Sequence, residues 1–151
     1  MPTLKILVGI PGSGKSTYRN NTIKNEVVIS SDDIIENIAE DQNITYTEAF
    51  EKNIKRTEKD IMKKALDAFK NNDDIIWDQT NISRKSRKKK IKLGKKYGYT
   101  IIGVVFPIPD NLQERLYNRK NKEIPGHVID FMIHNLVYPQ FDEGFDEIHC
   151  F

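Results

Sequence analysis

The chain has 151 residues and a formal net charge of only +2, a length that buries one core and calls for no second domain, so residues 1–151 are expected to form a single domain. No apolar run approaches the ~18 residues of a membrane span, and the first five residues lack the basic start of a secretory leader, which places the expected protein in a cytoplasm. Its one cysteine, Cys150, excludes an internal disulfide and is expected to pack.

The apolar run Leu4-Lys5-Ile6-Leu7-Val8 reads as a strand, and Gly9-Ile10-Pro11-Gly12-Ser13-Gly14-Lys15-Ser16-Thr17 directly behind it fits G-x-x-x-x-G-K-[ST]. Strand, glycine-rich turn and helix start are the context that a phosphate-binding loop requires. The glycines let consecutive N–H groups and a helix N-terminus converge on a nucleotide phosphate. Lys15 is expected to reach the β- and γ-phosphates, Ser16 to ligate a bridging Mg²⁺, and Thr17 to lie near the α-phosphate.

A helix is expected over 15 to about 24, then a buried strand over 27–30. Ser30-Ser31-Asp32-Asp33 ends that strand in side chains that cap helices, and Ile34, Ile35 and Ile38 supply the apolar face of a short helix from residue 32 onward. Thr45-Tyr46-Thr47-Glu48 has capping-box spacing, and Phe50, Ile54, Ile61, Ala65, Leu66 and Phe69 recur at helical intervals, so one long helix is expected from 47 to about 70. Ile75-Ile76-Trp77-Asp78 is a third strand, with Trp77 in the core and Asp78 at its carboxyl end.

Nine of the fifteen residues from Ser83 to Tyr97 are Lys or Arg, on a helix that stops at Gly98. So many like charges repel one another, and an adjacent polyanion would relieve them; a solvated helix face is the plainer reading. A strand over 99–106 is halted by Pro107 and Pro109. Asp110 then caps a helix through Leu112 and Leu116, with Arg115 and Arg119 on one face. Ile124-Pro125 opens another helix with Val128, Ile129, Met132, Ile133 and Leu136 as its buried stripe, ended by Pro139. The acidic stretch 142–147 precedes a final strand over 147–149. His127, His134 and His149 have no metal-ligand spacing and are expected at the surface or in packing contacts.

Alternating strands and helices predict an α/β fold with a parallel sheet covered on both faces, whose ligand sits at the carboxyl ends of the strands. Residues 9–17, Asp32 with Asp33, and 78–81 should therefore face one crevice. A carboxylate there can hold a metal or its waters, or take the proton of an attacking hydroxyl; Asp32 and Asp33 can equally serve as helix caps, Asp78 as a turn residue.

Five features in order carry a resemblance to the 5′-hydroxyl polynucleotide kinase family, relatives of the adenylate kinase-like P-loop phosphotransferases. They are the phosphate loop, Ser31-Asp32-Asp33, Asp78-Gln79-Thr80-Asn81 before a basic helix, Arg115 and Arg119 before Ile124-Pro125, and the Val128-Ile129-x-x-Met132 helix. The resemblance implies an adenylate kinase-like P-loop fold with four to five strands and a helical lid over about 111–126. It implies ATP as donor, bound by Gly12, Ser13, Gly14, Lys15, Ser16, Thr17, Arg115 and Arg119, and Mg²⁺ held by Ser16 with Asp78. Asp32 matches the base that deprotonates a 5′-hydroxyl, Lys15 and Arg119 match the phosphate clamps, and the acceptor is a 5′-OH end of DNA or RNA. A lone module of this kind suits a virus that repairs ends beside a separate nucleic-acid ligase. The family places an arginine for the acceptor phosphate three residues after its aspartate, where this chain has Ile35; either Arg84, Lys85 and Arg87 replace it or that phosphate is bound more weakly. A small-molecule phosphotransferase of the same architecture and a nucleotide-dependent nucleic-acid-binding switch are the alternatives.

Overall fold

The computed structural model describes residues 1–119 and 124–151. Its elements alternate in the order β1 (Thr3–Val8), α1 (Lys15–Thr22), β2 (Val27–Ser30), α2 (Ser31–Gln42), α3 (Tyr46–Lys70), β3 (Ile75–Asp78), α4 (Arg84–Lys96), β4 (Thr100–Val105), α5 (Leu112–Tyr117) and α6 (Gly126–Asn135), followed by a 3-10 turn (Phe141–Glu143) and β5 (Glu147–Cys150). The five strands form one parallel sheet in the order β2-β3-β1-β4-β5. The family resemblance and the alternation both led to this architecture.

Strands β1 to β4 are short and apolar because helices cover the sheet, as buried parallel strands require, whereas the edge strand β5 is largely exposed. On one face Ile61, Ala65 and Phe69 of α3 and Ile91 of α4 pack on Leu4, Ile6, Val8, Ile29, Ile75, Trp77 and Ile101. Phe69 anchors this layer, edge-on to Tyr99 at 5.0 Å and stacked on Tyr97 at 5.4 Å. The other face buries Leu7, Ile76, Ile102, Val104 and Phe106, with Tyr18 of α1 packed against them.

Two capping expectations are met by the predicted chemistry. Ser30 Oγ accepts from the Asp33 N–H, and Thr45 Oγ1 accepts from the Glu48 N–H at 3.1 Å, each satisfying an orphan donor of a first helical turn. Elsewhere the structure corrects the sequence reading. Asn111, not Asp110, precedes α5, with no side-chain cap bond, and α5 ends at Tyr117, so Arg119 lies beyond the helix rather than on a face shared with Arg115. In α6 only Ile129 is buried; Ile133 is exposed, and the helix ends at Asn135, four residues before Pro139. Cys150 is exposed on an edge strand instead of packed. The three histidines are exposed, as expected of surface residues. Of the expected lid over 111–126, residues 120–123 lie outside the described residues.

The basic helix and the acidic stretch, read separately in the sequence, meet in space. Arg84 makes two 3.0 Å bonds to the Asp142 carboxylate, Arg87 pairs bidentately with Glu143 at 2.9 and 3.0 Å, and Lys95 reaches Asp146 at 3.2 Å. The polyanion that relieves α4 is thus, in part, the chain's own last turn and strand. Among the described residues, no helix is long and apolar enough to cross a membrane.

Candidate active site

Parallel register aligns the carboxyl ends of β2, β3 and β1. Ser30 is paired with Asp78, and the P-loop leaves β1 beside them. The junction is tied directly: the Gly9 N–H donates to Thr80 O at 2.9 Å, and the Asn81 amide donates to Leu7 O at 2.8 Å. Asn81 is buried with φ +47°, a left-handed conformation that asparagine tolerates better than most side chains.

The phosphate loop turns through Gly12 (φ +83°) and Gly14 (φ +105°), conformations that favour glycine. A Cβ on Gly12 would also lie 3.2 Å from Leu112 and 3.3 Å from Leu116, because α5 rests on the loop. Behind it Ile10, Leu112 and Ile129 form a small core. Helix α1 opens at Gly14 with no side-chain cap and no acidic residue in its first turn, so its N–H groups are left for an external anion. Ser16 and Thr17 are exposed there. The Ser13 hydroxyl is buried without a hydrogen-bond partner among the described residues. An orphaned donor, an uncapped helix and a lysine turned back onto the loop together fit a bound nucleotide phosphate chain.

That lysine is Lys15, whose Nζ donates to Gly9 O at 2.7 Å and Ile10 O at 3.0 Å. Burial pushes its pKa down to about 8, against the opposing pull of Asp78 and Asp32; the positive charge of Arg119 adds to the depression. Asp32, on the first turn of α2, accepts a 2.6 Å hydrogen bond from the Tyr46 hydroxyl. Burial raises the Tyr46 pKa, and the adjacent Asp32 charge raises it further, so the phenol remains a donor and fixes one carboxylate oxygen. Arg115 lies over the loop with Nη1 3.3 Å from Gly12 O, and the charge of Arg119 bears on both Lys15 and Tyr46. Lys15, Asp32, Asp78 and Arg119 therefore share one electrostatic neighbourhood.

Asp78 is nearly buried, and burial pushes its carboxyl pKa upward while the charge of Arg19, at 2.9 Å, pulls against that shift. Arg19 also reaches both oxygens of Asp33 at 3.1–3.2 Å. No group of three or more acidic, histidine or cysteine side chains suited to a metal occurs among the described residues. A Mg²⁺ held chiefly by phosphate oxygens and water needs no such cluster.

The matching family model is described as an AAA domain and spans residues 4–139. The chain belongs to the AAA domain family. Within this AAA domain the fold is that of P-loop kinases: a chain in the structure of the Pnkp1/Rnl/Hen1 RNA repair complex superposes with a TM-score of 0.68 and 29% identity, covering 89% of this chain and 44% of that one. A protein from Chloroflexus aurantiacus assigned as a kinase gives a TM-score of 0.74 over 99% of this chain and 84% of its own, at 15% identity, a likeness of fold. The AAA domain thus spans under half the length of the RNA-repair chain it resembles.

Of the expected nucleic-acid contacts on α4, the structure corrects one outright. Arg87 is completely buried, donating to Glu143 and to the carbonyls of Asn81 (2.9 Å) and Val137 (2.8 Å), and so serves the packing of α4 instead of a surface. Arg84 is engaged by Asp142, whereas Lys85 is exposed. Two site residues escaped sequence reasoning. Arg19 carries a faint signal, one turn after Lys15 on the helix that opens the site. Tyr46 carries none, since nothing in the sequence pairs the start of α3 with Asp32.

Proposed function

We propose that the AAA domain is an ATP-dependent polynucleotide 5′-hydroxyl kinase acting in nucleic-acid end repair. The observation that carries this reading is the Asp32 carboxylate, oriented by Tyr46, in the same neighbourhood as Lys15 and Arg119. A nucleotide switch needs the phosphate loop alone; a phosphotransferase also needs a base for the acceptor and a clamp for the donor.

In this reading Lys15 leaves its loop carbonyls to hold the β- and γ-phosphates, Arg119 and Arg115 clamp them from beyond and within α5, and Ser16 with Asp78 would hold Mg²⁺. Bound Mg²⁺ offsets phosphate charge. Asp32 takes the proton of the 5′-hydroxyl as its oxygen bonds to the γ-phosphorus. The bond from that phosphorus to the β–γ bridging oxygen breaks, ADP leaves, and Asp32 returns its proton to solvent. Arginine suits the clamp because its planar fork stays charged and can bridge two phosphate oxygens. The 29% identity to a chain of an RNA repair complex supports a nucleic-acid acceptor and a ligase as the next enzyme to use the product.

The test is transfer of the terminal phosphate of labelled ATP, with Mg²⁺, to 5′-hydroxyl DNA and RNA oligonucleotides beside 5′-phosphorylated controls. Label on the 5′-hydroxyl strands alone is the expected result. ATP binding without labelling of any strand would refute the polynucleotide reading.

A further inference from the structure

Beside Asp32, between α2, α3 and the end of β3, lies a groove of about 360 Å³. Its wall includes Ile35, Phe50, Ile54 and Met62. Phe50 and Ile54 continue the apolar stripe of α3, but they are 40% and 42% exposed, facing this groove instead of the sheet. The helical repeat that reads as core over the whole of α3 is buried at Ala49 and again from Thr57 onward, but not at Phe50 and Ile54. The groove floor is polar and connected. Gln79 accepts from the Trp77 indole at 2.9 Å, and its amide donates to Ser31 Oγ at 3.3 Å, the residue immediately before Asp32. At the far end stands Lys90, its Nζ 5.2 Å from the centre of the Trp77 ring and donating to the Asn81 side-chain oxygen.

Lys90 differs from its neighbours on α4. Arg84, Arg87 and Lys95 are each neutralised by an acid of the 142–146 stretch, whereas the described polar partner of Lys90 is a neutral amide. The one carboxylate lining the groove, Glu58, is exposed. Burial, with the nearby charge of Arg87, pushes the Lys90 pKa down to about 8, the mark of a cation lacking a counter-charge. Three residues after Asp32, where the resemblance leads one to expect an arginine, Ile35 is buried and offers no charge.

We infer that Lys90 is the specificity residue of the acceptor groove, reading a phosphate on the 3′ side of the accepted nucleotide while Phe50 and Ile54 cover its base. The inference rests on the kinase reading for the word acceptor, but the site itself does not. The groove's volume is at the small end of the ~300–1,000 Å³ range of ligand pockets, enough for a single nucleotide unit and too small for a duplex. A terminal nucleotide brings what the groove lacks, an anion for Lys90 and a flat ring for the apolar wall. Floor donors from Ser31 and Gln79 run between that anion and Asp32, so the hydroxyl end is directed toward the base.

The experiment is calorimetric binding of adenosine 3′-monophosphate and of adenosine, with the phosphate loop filled by Mg²⁺ and a non-hydrolysable ATP analogue. The unaltered protein is expected to favour the phosphorylated ligand at least tenfold. Lys90→Gln should bring that ratio close to one, Lys90→Arg should keep it, and Arg84→Gln should leave it untouched. Phe50→Ala, at an exposed position that does not threaten folding, should weaken both ligands about equally. No preference in the unaltered protein, a preference retained by Lys90→Gln, or undiminished binding to Phe50→Ala would overturn the assignment. A Lys90-dependent preference in a protein that labels no strand would retain the site and refute the kinase reading; strand labelling without the preference would do the reverse.

Discussion

Lys15 is held as a cation in a place that penalises the charge, and the penalty can be measured. Its ordinary pKa of 10.5 is brought down to about 8 by burial. At about 1.4 kcal/mol per pH unit, the interval is worth at most about 3.5 kcal/mol. Contact with solvent and with the Gly9 and Ile10 carbonyls reduces the expected effect to about 1–3 kcal/mol. Between pH 8 and 10.5 the unfolded chain binds more protons at this position than the folded one, so the Lys15 contribution to stability rises with pH across that window. Lys15→Met removes the titration. Urea unfolding, followed by the fluorescence of the single tryptophan, Trp77, at a series of pH values from 7 to 10.5, should show the unaltered protein gaining about 1–3 kcal/mol relative to Lys15→Met. Lys90 titrates over the same interval but is present in both proteins and cancels. A stability difference that stays flat across the window would refute the reasoning. ATP should restore the charge, so its binding at pH 8.5 should take up a substantial fraction of a proton in the unaltered protein and none through this group in Lys15→Met.

Asp32→Asn should retain ATP binding and lower the rate of transfer by about 10²–10⁴-fold, the usual contribution of a positioned base; retained transfer would remove Asp32 from that role. Arg87→Met removes the bidentate partner of the nearly buried Glu143 carboxylate, leaving it the Gln140 N–H and Arg84 at 3.9 Å, and should cost about 3 kcal/mol by urea unfolding, while adding Glu143→Met should recover much of the loss. Gly12→Ala meets both a left-handed φ and the leucines of α5, so a loss of about 1–3 kcal/mol, with weakened ATP binding, is expected in melting and titration experiments.

What could be foreseen was written in local patterns. Four short apolar runs, each followed by capping or glycine-rich sequence, suffice for a parallel sheet with its ligand at the carboxyl ends. Register then brings the P-loop, Asp32 and Asp78 together without any further signal. The strand order and the fifth strand's place at the edge depend on packing across the sheet, which no local pattern encodes. The same limit hid the charge pairing. Arg84 and Asp142 are 58 residues apart, and the basic helix looked like a surface awaiting a polyanion because its real partner came from the other end of the chain. Arg87 shows the point most sharply: of nine positive residues in a row of similar ones, nothing local marks the one that is buried. Phe50 and Ile54 failed in the opposite sense, since helical periodicity reports which face is apolar but not whether anything covers it.

Asn81 joins three carbonyls, those of Leu7, Trp77 and Gln79, through a single amide, and its own side-chain oxygen takes the Lys90 ammonium. One small side chain thus stitches together the strand that launches the P-loop, the strand that ends in Asp78, and the helix that lines the groove. Sequence drift at these three places cannot proceed independently. A change in any one is judged by the geometry it imposes on the other two, so substitutions there should be strongly non-additive, and variation between related chains should arrive in coordinated sets.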